Sequence, residues 1–488
     1  MSAPAALWLV RLALQRGLAA IYLVALVGAL LEFRPLLGER GLLPVPESLE
    51  RARFLEAPSL FRLHYSDRFF SVVATAGVAL AAAALLGLTD AGPLWLSFAA
   101  WFALWAIYLS ILNVGQRFYG FGWESMLVEA GFFAAFLGPA RLAPSAVPLL
   151  LLRWMLFRVE LGAGLIKLRH DPCWRALTCL YYHYETQPLP NPASWHFHRL
   201  PKALHRGSVL FSHFVQLVVP FAFFAPQPVA AAAGGLAIFH QLLLIVSGNY
   251  SWLNWLTVVL GLSTLSDSVL RHVLPFALPA APALHAWPAF YAPLGWALVG
   301  VTAALSVKPT LNLFSRDQAM NMSYNALHLV NTYGAFGSVS KVRKEVVLEG
   351  SEADDPADAG AWREYDFKGK PGDVRRRPPQ VAPYHLRLDW MMWFLPFSVY
   401  GAAPDLYETW FVRLVGKLLA AQPDVLRLLR RDPFAGRRPR YVRARLFRYE
   451  FTSRRERRET GAWWRRTELG EYLPPMSADD VERLELSR

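Results

Sequence analysis

The chain has 488 residues, 54% of them hydrophobic, with 18 tryptophans and a formal net charge of +13. Soluble domains hold roughly 45–50% apolar residues, and the excess here is gathered into runs of bilayer-spanning length. That pattern excludes a soluble or disordered chain and predicts a polytopic α-helical membrane protein. Two cysteines cannot form a disulfide framework, and a basic excess tied to a membrane anchor gives no nucleic-acid partner.

About nine apolar runs are predicted to span. They centre near Val24, Ala79, Ala103, Phe132, Leu156, Val218, Ile238, Val258 and Gly295. The first follows Arg11 and Arg16 and is too long for a cleavable signal core, so it reads as a retained helix. The run at Phe132 carries Glu124 and Glu129, and Ala225–Pro228 is a very tight connection. Such marginal runs put the count between five and nine. Residues 32–68 are mixed in charge and read as amphipathic. No internal repeat of 20–50 residues is visible.

The run at 149–168, LLLLRWMLFRVELGAGLIKL, spaces Arg153, Glu160 and Lys167 by seven and seven. On a helix these fall on one stripe. An ionised group facing lipid costs ~2.5–3.5 kcal/mol on insertion scales, so the stripe must face protein or water. Glu124 and Glu129 are the expected partners of Arg153 and Arg158. His213 with Gln216 and His240 with Gln241 lie on consecutive spans and are placed to meet. Two readings stand for Glu124, Glu129, Arg153, Arg158, Glu160, Lys167, His213 and His240. They form an ion-pair network that fixes helix register, or the polar intramembrane site of an enzyme or redox protein.

Residues 173–201 read CWRALTCLYYHYETQPLPNPASWHFHRLP, dense in aromatics, proline and histidine. Alternating Pro188, Pro190 and Pro192 stiffen an extended crossing over the helix ends. His183, Tyr184, Glu185, Thr186, Gln187, Asn191 and Trp195 complete this structural motif. No cysteine or carboxylate stands at ligand spacing from the histidines, so no metal is expected. Cys173 and Cys179 would lie on different faces of a continuous helix. A bridge needs a break, for which Pro172 leaves room, and two free thiols are the expected state. HExxH, GxSxG, P-loop and dinucleotide fingerprints are absent, and no cofactor is expected.

After about Ser306 the composition changes. Residues 1–305 are expected to form the multi-span domain and 306–488 a soluble α+β domain, large enough to bury its own core. Val342–Leu348, Trp362–Phe367 and Tyr441–Phe451 read as strands. Glu349–Asp358 reads as an acidic turn or disordered tip. Pro404–Arg431 reads as amphipathic helix broken near Pro423. Between Arg437 and Arg466 stand 12 arginines against 3 glutamates, read as a solvated basic face near anionic lipid headgroups. Trp390, Trp393, Phe394, Trp463 and Trp464 are candidate anchors for a protein client, with core packing the alternative. The Lys/Arg bias would put segments 32–68 and 168–207, and the C-terminal domain, on the cytoplasmic side.

Five segments resemble the lipase maturation factor family: NVGQRFYGFGWESMLVEAGF (113–132), CWRALTCLYYHYETQPLPNPASW (173–195), NTYGAFGSVSKVRKEVVLEG (331–350), WREYDFKGKPGDVRRRPPQVAPYHLRLDWMMWF (362–394), and YVRARLFRYEFT with WWRRTELGEYLPP (441–475). The resemblance implies a membrane-integral, chaperone-like protein that assists folding and assembly of secreted dimeric lipases. It implies an endoplasmic reticulum location in animals and a lumenal C-terminal domain in contact with the lipase, here through residues 331–394 and 441–475; a non-enzymatic role is the leading expectation and an enzyme or redox protein the alternative. The membrane part is distantly similar to the horseshoe-like helical module of vitamin K-dependent carboxylases. This chain is shorter than the animal members and rich in Ala, Arg and Leu. A bacterial relative would reside in the plasma (inner) membrane.

Overall fold

The computed structural model describes residues 4–51, 53–275, 277–398 and 407–486. Among the described residues, six helices are long and apolar enough to cross a membrane. They are α1 (Trp8–Leu37), α2 (Asp67–Leu85), α3 (Leu94–Val114), a helix from Lys202 to Phe224, one over Val229–Ser247 and one over Tyr291–Phe314. Local chemistry sets some of their ends. The Ser66 hydroxyl accepts from the Phe69 amide and caps α2.

The other three expected spans are inner helices. α4 (Gly122–Ala134) has 13 residues, about 20 Å at 1.5 Å per residue and too short for a bilayer. α5 (Ala146–Arg169) is long enough, but it buries Arg158, Glu160 and Lys167 among its neighbours. Completing the membrane set are α6 (Lys202–Leu217), α7 (Val229–Ser247), α8 (Leu253–Gly261) and α9 (Tyr291–Phe314). α8 has 9 residues and packs on α7, α1 and α5. Apolar content alone does not tell which of these helices cross, because a protein interior is as apolar as lipid. The composition change at Ser306 falls inside α9, which runs on to Phe314.

Between α5 and α6 the chain forms short helices at Pro172–Arg175, Leu180–Thr186 and Ser194–His198. The Asp171 carboxylate caps the first by accepting from the Cys173 amide at 3.0 Å. That helix stops after one turn, and Leu177 takes a left-handed φ of 59°. The reversal brings the Cα atoms of Cys173 and Cys179 to 4.9 Å, and the two are disulfide-bonded. The expectation of free thiols is thereby corrected. It assumed continuous helix, and the Asp-Pro cap with the turn at Leu177 breaks it. Cross-linking so short a loop is worth about 2 kcal/mol. Replacing both cysteines with serine should lower the thermal midpoint accordingly. Wild type treated with a thiol-reactive reagent should label only after reduction.

The C-terminal region carries a four-stranded antiparallel sheet in the order β2-β1-β3-β4. Its strands are β1 (Arg343–Ser351), β2 (Arg363–Glu364), β3 (Tyr441–Phe451) and β4 (Trp464–Met476). Val347 sits opposite Arg445 and Phe451 opposite Trp464. β4 was not expected, since its charges and Pro474-Pro475 mask the alternation. It lies at the sheet edge, where charge and proline are tolerated.

The acidic tip and the basic run belong together. Arg443 pairs with Glu349, Arg437 with Glu352 and Arg440 with Asp354. Among the described residues, eight of the twelve arginines of that run have a carboxylate partner. The solvated basic face is thus threaded with ion pairs. Sequence position hid this, because most of the acids lie on other strands and loops.

α10 (Arg387–Ser398) and α11 (Thr409–Leu419) complete the region. The expected amphipathic helix is α11, and a short turn of helix follows at Pro423–Leu426. Residues 404–406 of that expectation lie outside the described residues. One continuous apolar core runs from α1 and α3 to α10 and α11. α10 is thus seated in the membrane module itself.

Candidate functional site

The eight ionisable candidates separate into distinct groups. Glu129 on α4 and Arg158 on α5 form a buried ion pair. Glu129 also accepts from the Asn331 amide (3.0 Å), Asn331 Nδ2 (3.0 Å) and Tyr333 OH (2.7 Å). The loop carrying Asn331 and Tyr333 reaches this pair because α5 has glycine at 162. A side chain there would collide with the Tyr333 carbonyl.

Further along α5, Gln216 of α6 bridges the seven-residue stripe. Its Nε2 donates to Glu160 at 3.3 Å, and its Oε1 accepts from Lys167 Nζ at 2.6 Å. Gln241 of α7 donates to Glu160 at 2.8 Å. Arg153 instead donates to the Ser263 carbonyl at 2.6 Å. The expected pairing of Arg153 with Glu124 does not form.

Glu124 turns to the C-terminal region. Arg387 Nη2 donates to it at 2.8 Å and Tyr108 OH donates on the other side. His385 Nδ1 lies 3.4 Å away. The Arg387 amide donates to Glu32 of α1 at 3.0 Å, and the guanidinium lies 3.9 Å above the Tyr119 ring. His213 and His240 do not meet: His213 Nε2 donates to the Trp174 carbonyl at 3.1 Å, and His240 is buried beside Phe211. Among the described residues no hydrogen bond joins the two histidines.

The proline-stiffened motif ties the membrane module to the sheet. His183 Nε2 donates to Tyr250 OH (2.8 Å), which donates to Gln187 (2.5 Å). Gln187 donates to Ser194 and to the Ser247 carbonyl, and Asn191 donates to the Val246 carbonyl. On the opposite side Arg343 of β1 donates to the carbonyls of Glu185, Gln187 and Pro188. Glu185 accepts from the Phe451 amide, and Trp195 donates to the Thr452 carbonyl. Pro190 accepts from Asn249, and Thr186 from Trp393.

The aromatic candidates divide by burial. Trp390 packs against Trp123 and Phe121. Trp463 packs against Trp195, and Trp464 stacks on Phe451 at 4.0 Å. All three are buried. Trp393 is half-buried, and Phe394 is 41% exposed. These two flank a cavity of about 1000 Å³ between the helix ends and α10.

His328, not anticipated from the sequence, links the loop after α9 to α3 and α4. Asn113 Nδ2 donates to the carbonyls of Pro58 and Ala326, which leaves its Oδ1 to accept from His328 Nε2 at 2.9 Å. His328 Nδ1 then accepts from Ser323 at 2.7 Å and Ser125 at 3.2 Å. Burial pushes this imidazole down to about 4. A neutral ring is thus built into the fold. Since the unfolded ring titrates near 6.5, the unfolded chain binds the proton first. Stability from His328 is full above about pH 6.5 and is lost as pH falls toward 4, by about 3 kcal/mol. Thermal midpoints in detergent between pH 7 and 4.5 should show this slope, and His328→Gln should flatten that part of it.

Six bilayer-length helices among the described residues, inner polar helices and a C-terminal α+β cap packed against them define a polytopic α-helical membrane protein. The chain matches the family models described as the lipase maturation factor transmembrane domain over residues 9–272 and the lipase maturation factor C-terminal domain over residues 329–474. The chain belongs to the lipase maturation factor family. It is 41% identical to lipase maturation factor 1 of Bos taurus, over 99% of this chain and 91% of that protein. Identity to lipase maturation factor 1 of Homo sapiens is 40%, over 97% and 89%. Identity to lipase maturation factor 2 of Gallus gallus is 30%, over 95% and 81%. No solved structure matches the chain.

Proposed function

We propose that this protein assists the folding and assembly of secreted lipases, its C-terminal region meeting the client outside the cytosol. Full-length likeness to proteins named lipase maturation factor carries the reading. The Cys173–Cys179 disulfide supports the topology, because such bonds persist in oxidising compartments and not in the cytosol. The loop that carries it is hydrogen-bonded to the sheet through Arg343 and Trp195, so both share one side. That side is the endoplasmic reticulum lumen in a eukaryotic cell and the periplasmic face of the inner membrane in a bacterial one.

Client contact falls to Trp393 and Phe394, the candidates with accessible surface. Trp390, Trp463 and Trp464 act indirectly by holding the cap in place. The test is co-expression with a secreted dimeric lipase, reading secreted lipase activity and the level of this protein. Phe394→Asp is expected to leave the level unchanged. Loss of a central aromatic contact worth about 2 kcal/mol would weaken client binding about 30-fold. Wild-type lipase output from a Trp393→Ala/Phe394→Asp chain would refute this docking face. No gain in active lipase from the unaltered protein would refute the maturation role.

A further inference from the structure

The cavity beside α10 is at the upper end of the size range for small-molecule sites, at about 1000 Å³. Its walls come from residues distant in sequence: the turn at 117–123, the end of α5, the glycine-rich loop at 334–338 and α10. The inner wall is aromatic, with Phe121 stacked on Trp123 at 4.7 Å and Trp390 edge-on to Trp123 at 5.0 Å. Several polar lining groups are already engaged, while Trp410 Nε1 has no partner among the described residues. Gln318 serves Arg169 and the Gly162 carbonyl, Asn321 accepts from the Gly334 amide, and Trp393 Nε1 donates to Thr186. At the rim an exposed Arg117 forms an ion pair with Glu408.

This distribution selects the occupant. An inserted polypeptide would bury backbone amides against walls with few free hydrogen-bonding partners, which is unfavourable for each unpaired group. A hydrocarbon chain brings no such groups and gains from the apolar walls. The rim places a cation and an anion side by side. A phosphate suits Arg117 and an ammonium suits Glu408, whereas a fatty-acid carboxylate alone would also face Glu408. We propose that the cavity holds an acyl chain of a zwitterionic phospholipid drawn from the surrounding bilayer, its headgroup on the Arg117–Glu408 pair. This goes beyond the maturation reading and does not rest on it.

The test uses the intact protein, delipidated in detergent and titrated with 1-palmitoyl-2-oleoyl-phosphatidylethanolamine, with bound lipid counted by native mass spectrometry. One tightly retained lipid is expected. Gly120 lines the cavity, and an added Cβ would meet nothing nearer than the Arg117 carbonyl at 3.6 Å. Gly120→Leu therefore starts from an unobstructed Cβ at an exposed position. It should weaken retention at least about tenfold with an unchanged thermal midpoint. Arg117→Glu, at an exposed site, should do the same by setting two carboxylates against the phosphate. Oleate should be retained at least about tenfold more weakly than the phospholipid. The proposal is overturned if no lipid is retained, or if both variants hold it as well as wild type, the mark of belt lipid. Preferential retention of oleate would overturn it equally.

Discussion

Replacing Arg387 with methionine is expected to remove about 3–5 kcal/mol of stability, the cost of leaving one half of a buried ion pair alone. Both Arg387 and Glu124 are fully buried. The guanidinium holds Glu124 from above while Tyr108 holds it from below, and the arginine backbone amide satisfies Glu32. Methionine keeps the volume and that amide, so the loss isolates the charge. Against a total of about 5–15 kcal/mol for a typical domain, it should strip most folded protein from a detergent extract on mild heating. Arg387→Lys keeps the charge but loses the forked geometry and the planar stacking on Tyr119. It should fall between methionine and wild type. The double variant Arg387→Met/Glu124→Gln should regain much of the loss, because no uncompensated charge stays buried. Equal thermal midpoints for wild type and Arg387→Met would show that this pair does not hold the cap.

The partners of these charges explain what the sequence could disclose. Glu129 with Arg158 was legible, because two adjacent apolar runs each carried a charge that lipid would reject. The stripe of Glu160 and Lys167 was legible as well, since seven-residue spacing returns to one helix face. Its link through Gln216 was not, because a neutral amide gives no charge signal. Arg387 escaped notice for another reason. It lies in a stretch that reads as soluble, 263 residues from Glu124, and nothing local marks it as buried in a bundle. The sheet followed a similar division. β1 and β3 alternate clearly and were anticipated, while the edge strand β4 was obscured by the charges and prolines that an edge permits. The disulfide depended on one reversal at Leu177, a left-handed residue that no spacing rule anticipates.

A chain cut at Ser306 is expected not to accumulate as a folded membrane protein, although composition alone suggests a free-standing bundle. The cut removes Arg387 from Glu124 and Glu32, and removes Asn331 and Tyr333 from Glu129. It strips Gln318 from Arg169 and from the Gly162 carbonyl. It also uncovers Trp123 and Tyr119, which the cap buries. Each orphaned neutral group costs about 1–3 kcal/mol, and an unpaired carboxylate costs more. Their sum matches or exceeds the whole stability of a typical domain. Loss of lipase maturation by such a truncation would therefore report collapse of the bundle and not the absence of a docking surface. Size-exclusion chromatography of a fluorescent fusion in detergent decides the matter. The expected trace is void-volume aggregate at low yield. A monodisperse 1–305 bundle at full-length yield and midpoint would show that α10 is a passenger on the membrane module, and the clamp assigned to Arg387 would fall with it.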